Sequence, residues 1–264
     1  MIEKGVPIRA ITRGLAVLQA INRGGSITMM EIARTSQVPY PTACRIVQTL
    51  LHEGMIEREA SRKRYRSTAL VQSLASGFHD DSQLVAVARP HIEALCEKLL
   101  WPLSITSRVG GHMMVRDSTH NMTTLTLNNY YPGFTLPLME CSSGKAYMAF
   151  CSDDEREQLL EGLRTIEGAA EKVATLLLSN DMLLKEIRRN GYATQARNAY
   201  TANPGKTSSI AVPLFRGTEV VGSLVLIFFA VAMSMEKAIE QFVAPLTQTA
   251  SAISSDLAAV QAKG

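Results

Sequence analysis

The chain has 264 residues, 46% of them hydrophobic, and a formal net charge of +3. That length suits one large or two ordinary domains with substantial cores. The start, Met1-Ile2-Glu3-Lys4-Gly5, has no apolar signal segment, and the longest apolar run, around 220–233, is too short for a bilayer span and is broken by Gly222 and Ser223. The expectation is a cytoplasmic protein with no membrane partner.

Charge is unevenly placed. Residues 1–68 hold 11 Lys/Arg against 5 Asp/Glu, a net +6, while residues 69–264 hold the other 16 and 19, a net −3. A basic N-terminal module on a mildly acidic body points to a polyanion partner for the first part alone. The four cysteines (Cys44, Cys96, Cys141, Cys151) are scattered, with no Cys-x-x-Cys and no Cys/His pair at zinc spacing. Reduced thiols are expected, with no metal site and no cofactor.

In chain order, residues 1–10 read as a loose arm. A helix is expected from Thr12, with Ile11, Leu15, Leu18 and Ile21 on its apolar face, stopping at Gly24-Gly25. Thr28 and Glu31 form a capping box for a second helix, whose Met29, Ile32 and Ala33 face the first. Val38-Pro39-Tyr40-Pro41 makes a turn, and Pro41 suits the first position of a third helix. There Ala43, Ile46, Val47 and Leu50 point inward, leaving Thr42, Arg45, Gln48, Thr49 and His52 as the opposite stripe. Arg can grip guanine, Gln can pair with adenine, and Thr can meet phosphate or a thymine methyl. After Gly54, strands at 55–59 and 64–66 flank a turn at 60–63. Four of the five residues Arg62-Lys63-Arg64-Tyr65-Arg66 are basic, a crowding that phosphates would relieve. Helix, turn, helix and basic wing make a DNA-binding signal.

Further on, 69–82 reads as a linker helix that loses its pattern at Gly77. His79-Asp80-Asp81 suits a hinge or helix N-terminus better than a metal site. A helix follows from Leu84 to Leu100, bent or restarted at Pro90. Strands 104–109 and 113–117 flank Gly110-Gly111 as a hairpin, and 123–127 alternates as a third strand. Pro132-Gly133 turns the chain. Helices are expected at 143–151, at 152–163 capped by Ser152-Asp153-Asp154-Glu155, and at 180–190. Strands 208–215 and 220–229 meet at Arg216-Gly217, and a long amphipathic helix occupies 234–262. The fold class is α+β in two domains: a winged helix-turn-helix over 1–68, a linker helix over 69–82, and helices around an antiparallel sheet over 83–264.

Several motifs together carry a resemblance. Arg13-Gly14-Leu15-x-x-Leu18, Glu31-Ile32-Ala33, Val38-Pro39-x-x-Thr42-x-x-Arg45-x-x-x-x-Leu50-x-x-x-Gly54 and Tyr65-Arg66 resemble the winged helix of IclR-type transcriptional regulators, and the likeness covers nearly the whole chain. Pro41 departs from the family, which commonly has Ser or Lys there. The resemblance implies a GAF-like effector-binding and oligomerisation domain. It also implies a DNA-contacting set of Arg13, Thr42, Arg45, Gln48, Thr49, Arg62, Lys63 and Arg64. Trp101-Pro102 and Val115-Arg116-Asp117-Ser118-Thr119-His120 are similar to the branch that controls breakdown of hydroxyphenylpropionates and related aromatic acids.

Effector contacts follow from physics and resemblance together. The turn Cys141–Gly144 offers backbone N–H groups at a helix N-terminus, where a carboxylate can bind. The matching turn in IclR-type regulators touches the effector, which implies that role for Ser142, Ser143 and Gly144. Ser209 matches a polar contact of the family. Val225 and Ile227 stand where glyoxylate- or pyruvate-responsive relatives are polar, which favours a larger, partly apolar ligand. Leu125 and Leu127 join this set from the third strand, and Arg116 and His120 are candidates to meet a carboxylate.

The expected protein is therefore a regulator of transcription controlled by a small carboxylate, in particular an aromatic acid. Its partners would be a near-palindromic DNA operator, the effector, further copies of itself as a dimer or tetramer, and RNA polymerase if it activates. Two rivals stay open. Ser142-x-x-Lys145 with Lys206-Thr207-Ser208 faintly echoes serine acyl-transfer enzymes, although their Ser-Asp-Asn element is absent. The winged helix could also bind protein.

Overall fold

The computed structural model describes residues 8–60, 62–75, 82–126, 130–164, 182–197 and 206–261. The chain divides into two compact units, residues 1–80 and 81–264.

In the first unit, helix α1 runs Arg9–Gly24, α2 Met29–Ser36 and α3 Tyr40–His52. A sheet of β1 (Ile27–Thr28), β2 (Ile56–Arg58) and β3 (Arg64–Ser67), in the order β1-β3-β2, completes a winged helix-turn-helix. The capping box at α2 forms as the sequence foretold: Thr28 accepts from the Glu31 amide, and Glu31 accepts from the Thr28 amide at 2.7 Å. Gln37, in the left-handed region at φ 54°, turns the chain toward α3.

Three details differ from expectation. Helix α1 starts three residues early, and its buried side is Val17, Ala20 and Ile21; Ile11 and Leu15 stand 58% and 55% exposed. Only the later turns meet the core formed with Ile32, Val38, Ala43, Val47 and Ile56, so the apolar repeat outruns the surface that could cover it. Pro39 caps α3 and Pro41 takes its second position, whose amide also lacks an intrahelical acceptor. Strand β1 was too short to show a period-two pattern.

The segment expected as a linker helix is a 3-10 helix over Ala69–Ala75, and the His79-Asp80-Asp81 cluster lies outside the described residues.

The second unit begins with α4 (Ser82–Leu99), continuous through Pro90. Six strands follow: β4 (Leu103–Val109), β5 (His112–Ser118), β6 (Thr135–Pro137), β7 (Ala193–Gln195), β8 (Thr207–Arg216) and β9 (Glu219–Phe229). They form one antiparallel sheet in the order β6-β5-β4-β9-β8-β7. Helices α5 (Ser142–Phe150), α6 (Asp153–Arg164), α7 (Met182–Asn190) and α8 (Met235–Gln261) complete the α+β architecture. The Gly110-Gly111 hairpin forms, with Gly110 at φ 58°, and Ser152 caps α6 by accepting from the Glu155 amide.

The predicted strand at 123–127 does not form over its described residues, 123–126. Thr123 Oγ1 donates to the Leu100 carbonyl at 2.6 Å and accepts from the Leu125 amide at 3.1 Å, so a local side-chain turn takes the groups a strand would need. Leu127 is outside the described residues, and β6 takes the place beside β5.

Alternation on the central strands divides their side chains between two layers. Leu103 and Ile105 of β4, Ile210, Val212 and Leu214 of β8, and Leu224, Leu226 and Phe228 of β9 pack against α4 and α8 with Phe242, Leu246 and Ile253. Their neighbours, Ser104, Thr106, Thr207, Ser209, Val225 and Ile227, face the opposite side, which α5 covers. Helix α5 sits unusually close to the 3-10 turn Leu138–Glu140. A Cβ on Gly144 would stand 1.7 Å from the Leu138 carbonyl oxygen, so no side chain fits there.

Candidate nucleic-acid interface and ligand cavity

In the first unit, α1 and α3 enclose a surface depression lined by Arg13, Thr42, Arg45, Gln48, Thr49 and His52, with Ala10 and Ile46 at its floor. Five of the eight predicted DNA contacts, from two helices, thus meet on one face. Gln48, Thr49 and Arg45 are exposed. The Thr49 hydroxyl is turned back to the Arg45 carbonyl at 3.1 Å, leaving its methyl outward. Arg62 and Lys63 are exposed at the hairpin tip, beside Arg58 and Glu59.

Arg64 is placed otherwise than its neighbours at the tip. Its guanidinium donates to the Ser26 carbonyl at 2.8 Å and reaches Glu31 at 3.5 Å, tying β3 to the capped start of α2. Arg66 pairs with Glu57 across β2 and β3 at 2.5 Å. Two of the four basic residues of the wing are therefore matched by carboxylates of the same unit, so the crowding is milder than the sequence suggested. The Glu31 carboxylate is held below its ordinary range, chiefly by the Thr28 amide, then by the Thr28 hydroxyl and Arg64.

In the second unit, a cavity of about 50 Å³ lies between the sheet and the first turn of α5. Ser142 and Ser143, Ser209, Val225 and Ile227 line it, so the expected contacts from three separate elements come together. Cys141 caps α5 through its sulfur, which accepts from the Gly144 amide. Burial pushes that thiol upward, keeping it protonated, and it points to the Pro137 carbonyl at 3.4 Å. Ser142 and Ser143 take the first two helical positions, whose amides have no acceptor inside the helix. Ser142 Oγ meets Ser209 Oγ at 2.8 Å, and Tyr130 Oη meets Thr207 Oγ1 at 3.1 Å.

Four predicted effector contacts are not among the cavity walls. Gly144 is buried against Leu138 and serves close packing. Leu125 is 37% exposed in the turn described above. Arg116 donates to Ser107 at 3.2 Å at the bulge between β4 and β5. His120 lies just past β5, with its amide bonded to Ser118 Oγ. The alternation of the strand sends Val115, not Arg116, to the cavity.

Sequence reasoning missed the polar walls Ser104, Thr106, Tyr130, Glu140, Gln195 and Thr207, and the apolar Val115 and Leu136. Ser104 and Thr106, buried at 1% and 2%, were readable as polar positions alternating with the apolar Leu103 and Ile105. Gln195 belongs to a three-residue edge strand that the sequence did not reveal.

A winged helix in one unit and a small, polar-rimmed cavity in the other define the class of ligand-responsive DNA-binding proteins. Residues 10–60 match the family model of the IclR helix-turn-helix domain, and residues 78–255 match that of the bacterial transcriptional regulator IclR C-terminal domain. The chain belongs to the IclR family of transcriptional regulators. It is 24% identical over 257 residues to the DNA-binding transcriptional repressor YiaJ of Escherichia coli, covering 97% of this chain and 90% of that one. It is 23% identical over 159 residues to the HTH-type transcriptional regulator TsaQ1/TsaQ2 of Comamonas testosteroni, covering 60% of this chain and 57% of that protein. Among solved structures, an IclR homologue from Microbacterium hydrocarbonoxydans complexed with 4-hydroxybenzoate superposes with a TM-score of 0.64 at 22% identity, covering 95% and 99% of the two chains.

Regulators of this family bind DNA operators and small-molecule effectors, and the matched families and relatives are regulators, not enzymes. At the pair that an acyl-transfer reading would use, Lys145 Nζ turns to the Thr194 carbonyl and Gln195, while Ser142 pairs with Ser209, so Lys145 is not placed to activate Ser142. No helix among the described residues is long and apolar enough to cross a membrane.

Proposed function

We propose that this chain represses or activates transcription by binding a near-palindromic operator through α3, under control of a small carboxylate held at the N-terminus of α5. Arg45 and Gln48 read base edges, with Arg13, Thr42 and Thr49 beside them, while Arg62 and Lys63 neutralise backbone phosphates. Two or four copies act together, so that paired recognition helices enter successive major grooves, about 34 Å apart. An activating form would add RNA polymerase as a partner. The protein works in the cytoplasm, where its operator is.

The observation that carries the ligand half is the cavity itself: two helix-start amides and the Ser142–Ser209 pair face an apolar wall of Val225, Ile227, Val115 and Leu136. Such a site suits a carboxylate on a short carbon body. The aromatic-acid expectation gains support from a structural neighbour that is complexed with 4-hydroxybenzoate. The cavity volume tempers it. A water takes about 30 Å³ in the liquid and an engineered cavity that binds benzene about 150 Å³, so at about 50 Å³ the walls must yield to an aromatic ring. Ligand binding shifts the operator-bound population only if the two arrangements of the paired winged helices differ in affinity for it.

One titration tests both halves. Operator fragments selected from random duplexes would be bound with a steep salt dependence, and affinity would change on adding 4-hydroxybenzoate or pyruvate. Binding that ignores both sequence and salt would overturn the DNA half. Operator affinity and melting temperature unmoved by a broad panel of acids would overturn the ligand half.

A further inference from the structure

Among the described residues, Lys145 is a cation without a counter-ion. Its ammonium donates to the Gln195 side-chain oxygen at 2.7 Å and to the Thr194 backbone carbonyl at 3.3 Å, both neutral acceptors. No ion pair joins it to a carboxylate among the described residues. It stands on α5, three residues past Ser142, and is partly buried beneath β7. Burial lowers its proton affinity, with the nearby Cys141 thiol acting the other way.

Its first acceptor, Gln195, is a wall of the cavity. An ammonium can only donate, so it fixes which way the Gln195 amide faces: Oε1 to Lys145, and Nε2 away from it, with one of its protons on the carbonyl of Ala196, itself a cavity wall, at 3.0 Å. The wall at Gln195 is thereby a donor surface backed by a positive charge. The cavity also contains Glu140. A carboxylate ligand would meet repulsion from that side, and among the described residues no cation is itself a wall.

We infer that Lys145 is the charge that selects an anionic ligand, acting through Gln195, whose amide it orients as a donor toward the cavity. Lys145 is a positioning residue in this role, and Gln195 is the group that touches the ligand. A bound carboxylate supplies the missing counter-charge, and the low polarity around Lys145 makes that attraction stronger than at the surface. The inference rests on the reading of this cavity as a carboxylate site.

The test is a ligand pair of equal shape and different charge, measured by calorimetry on the full chain: pyruvate against pyruvamide, and 4-hydroxybenzoate against 4-hydroxybenzamide. The wild type should favour the acid by tenfold or more in whichever pair it binds. Lys145→Met should erase that preference by weakening the acid alone. Gln195→Glu places a carboxylate against Lys145 and should erase it too, with the fold held by a new ion pair, so a poorly folding Lys145→Met does not end the test. Variants that melt lower yet keep the wild-type acid-to-amide ratio would overturn the inference and leave the cavity reading standing. Wild-type protein that binds an amide as well as its acid would also overturn it. Wild-type protein that binds neither acid, nor any of the broad acid panel, would overturn the cavity reading, and this inference with it.

Discussion

The hydroxyls of Ser142 and Ser209 stand 2.8 Å apart, joining the first turn of α5 to β8 at the wall of the cavity. Both residues belong to the proposed ligand site, so their bond is a contact that a ligand must share or replace. A hydrogen bond of this kind contributes about 0.5–1.5 kcal/mol. Ser142→Ala and Ser209→Ala should each destabilise the second unit by about 1 kcal/mol, and the double variant by less than the sum. Chemical denaturation of the four proteins measures the coupling, and strict additivity would show that the bond contributes nothing.

Arg45→Ala should cost about 1–3 kcal/mol of operator affinity and relax base preference, because a guanidinium in a groove reads base edges. Lys63→Ala should weaken binding evenly across sequences and lower the salt slope by about one. Binding isotherms at several salt concentrations separate the two patterns.

Arg64→Ala, by contrast, should act on the fold. Its loss frees the Ser26 carbonyl and removes a partner of Glu31. A fall in melting temperature is expected, with the salt slope of DNA binding unchanged. An unchanged melting temperature with a reduced slope would return Arg64 to the phosphate contacts.

Glu31 gives a pH signature. Its carboxylate titrates lower in the folded chain than in the unfolded one, because the Thr28 amide, the Thr28 hydroxyl and Arg64 favour the ionised form. Its contribution to stability is therefore complete above the unfolded value and fades as pH falls through the folded one. The stability gap between wild type and Glu31→Gln should hold above the unfolded value and narrow as the pH falls below it. Urea unfolding at fixed pH steps reports it, and a gap that stayed constant would rule this account out.

Gly144→Ala should be severe for one added methyl. The new Cβ would need the space of the Leu138 carbonyl, so α5 must shift. Overpacking of this kind costs about 1–3 kcal/mol, and the displaced first turn should lose carboxylate binding as well. Thermal unfolding and calorimetry check both.

Legibility followed the strength of local rules. The capping box at Thr28 and Glu31, the Gly110-Gly111 hairpin and the cap at Ser152 depend on residues within a few positions, and all three formed. The stripe on α3 followed from helical periodicity. The strand at 123–127 failed because alternation cannot show that Thr123 will bond to Leu100, which lies on the far side of a hairpin. Arg116 and Val115 illustrate the same limit. Which of two neighbours faces the cavity depends on a bulge at Ile105/Thr106, and a bulge is set by pairing partners rather than by either strand. Arg64 could not be told from Lys63 by composition, because only the pairing of β1 with β3 brings it to Ser26.

The alternation on β9 has a consequence for how this protein can change over time. Leu224, Leu226 and Phe228 hold the helical layer, while Val225 and Ile227 between them shape the cavity. A change at Val225 or Ile227 would reshape the cavity wall within the second apolar layer, to which both belong, while one at Leu224, Leu226 or Phe228 would strike the helical layer instead. Along this stretch the wall and the helical layer are carried by different residues, so single substitutions can alter the one and leave the other's side chains in place.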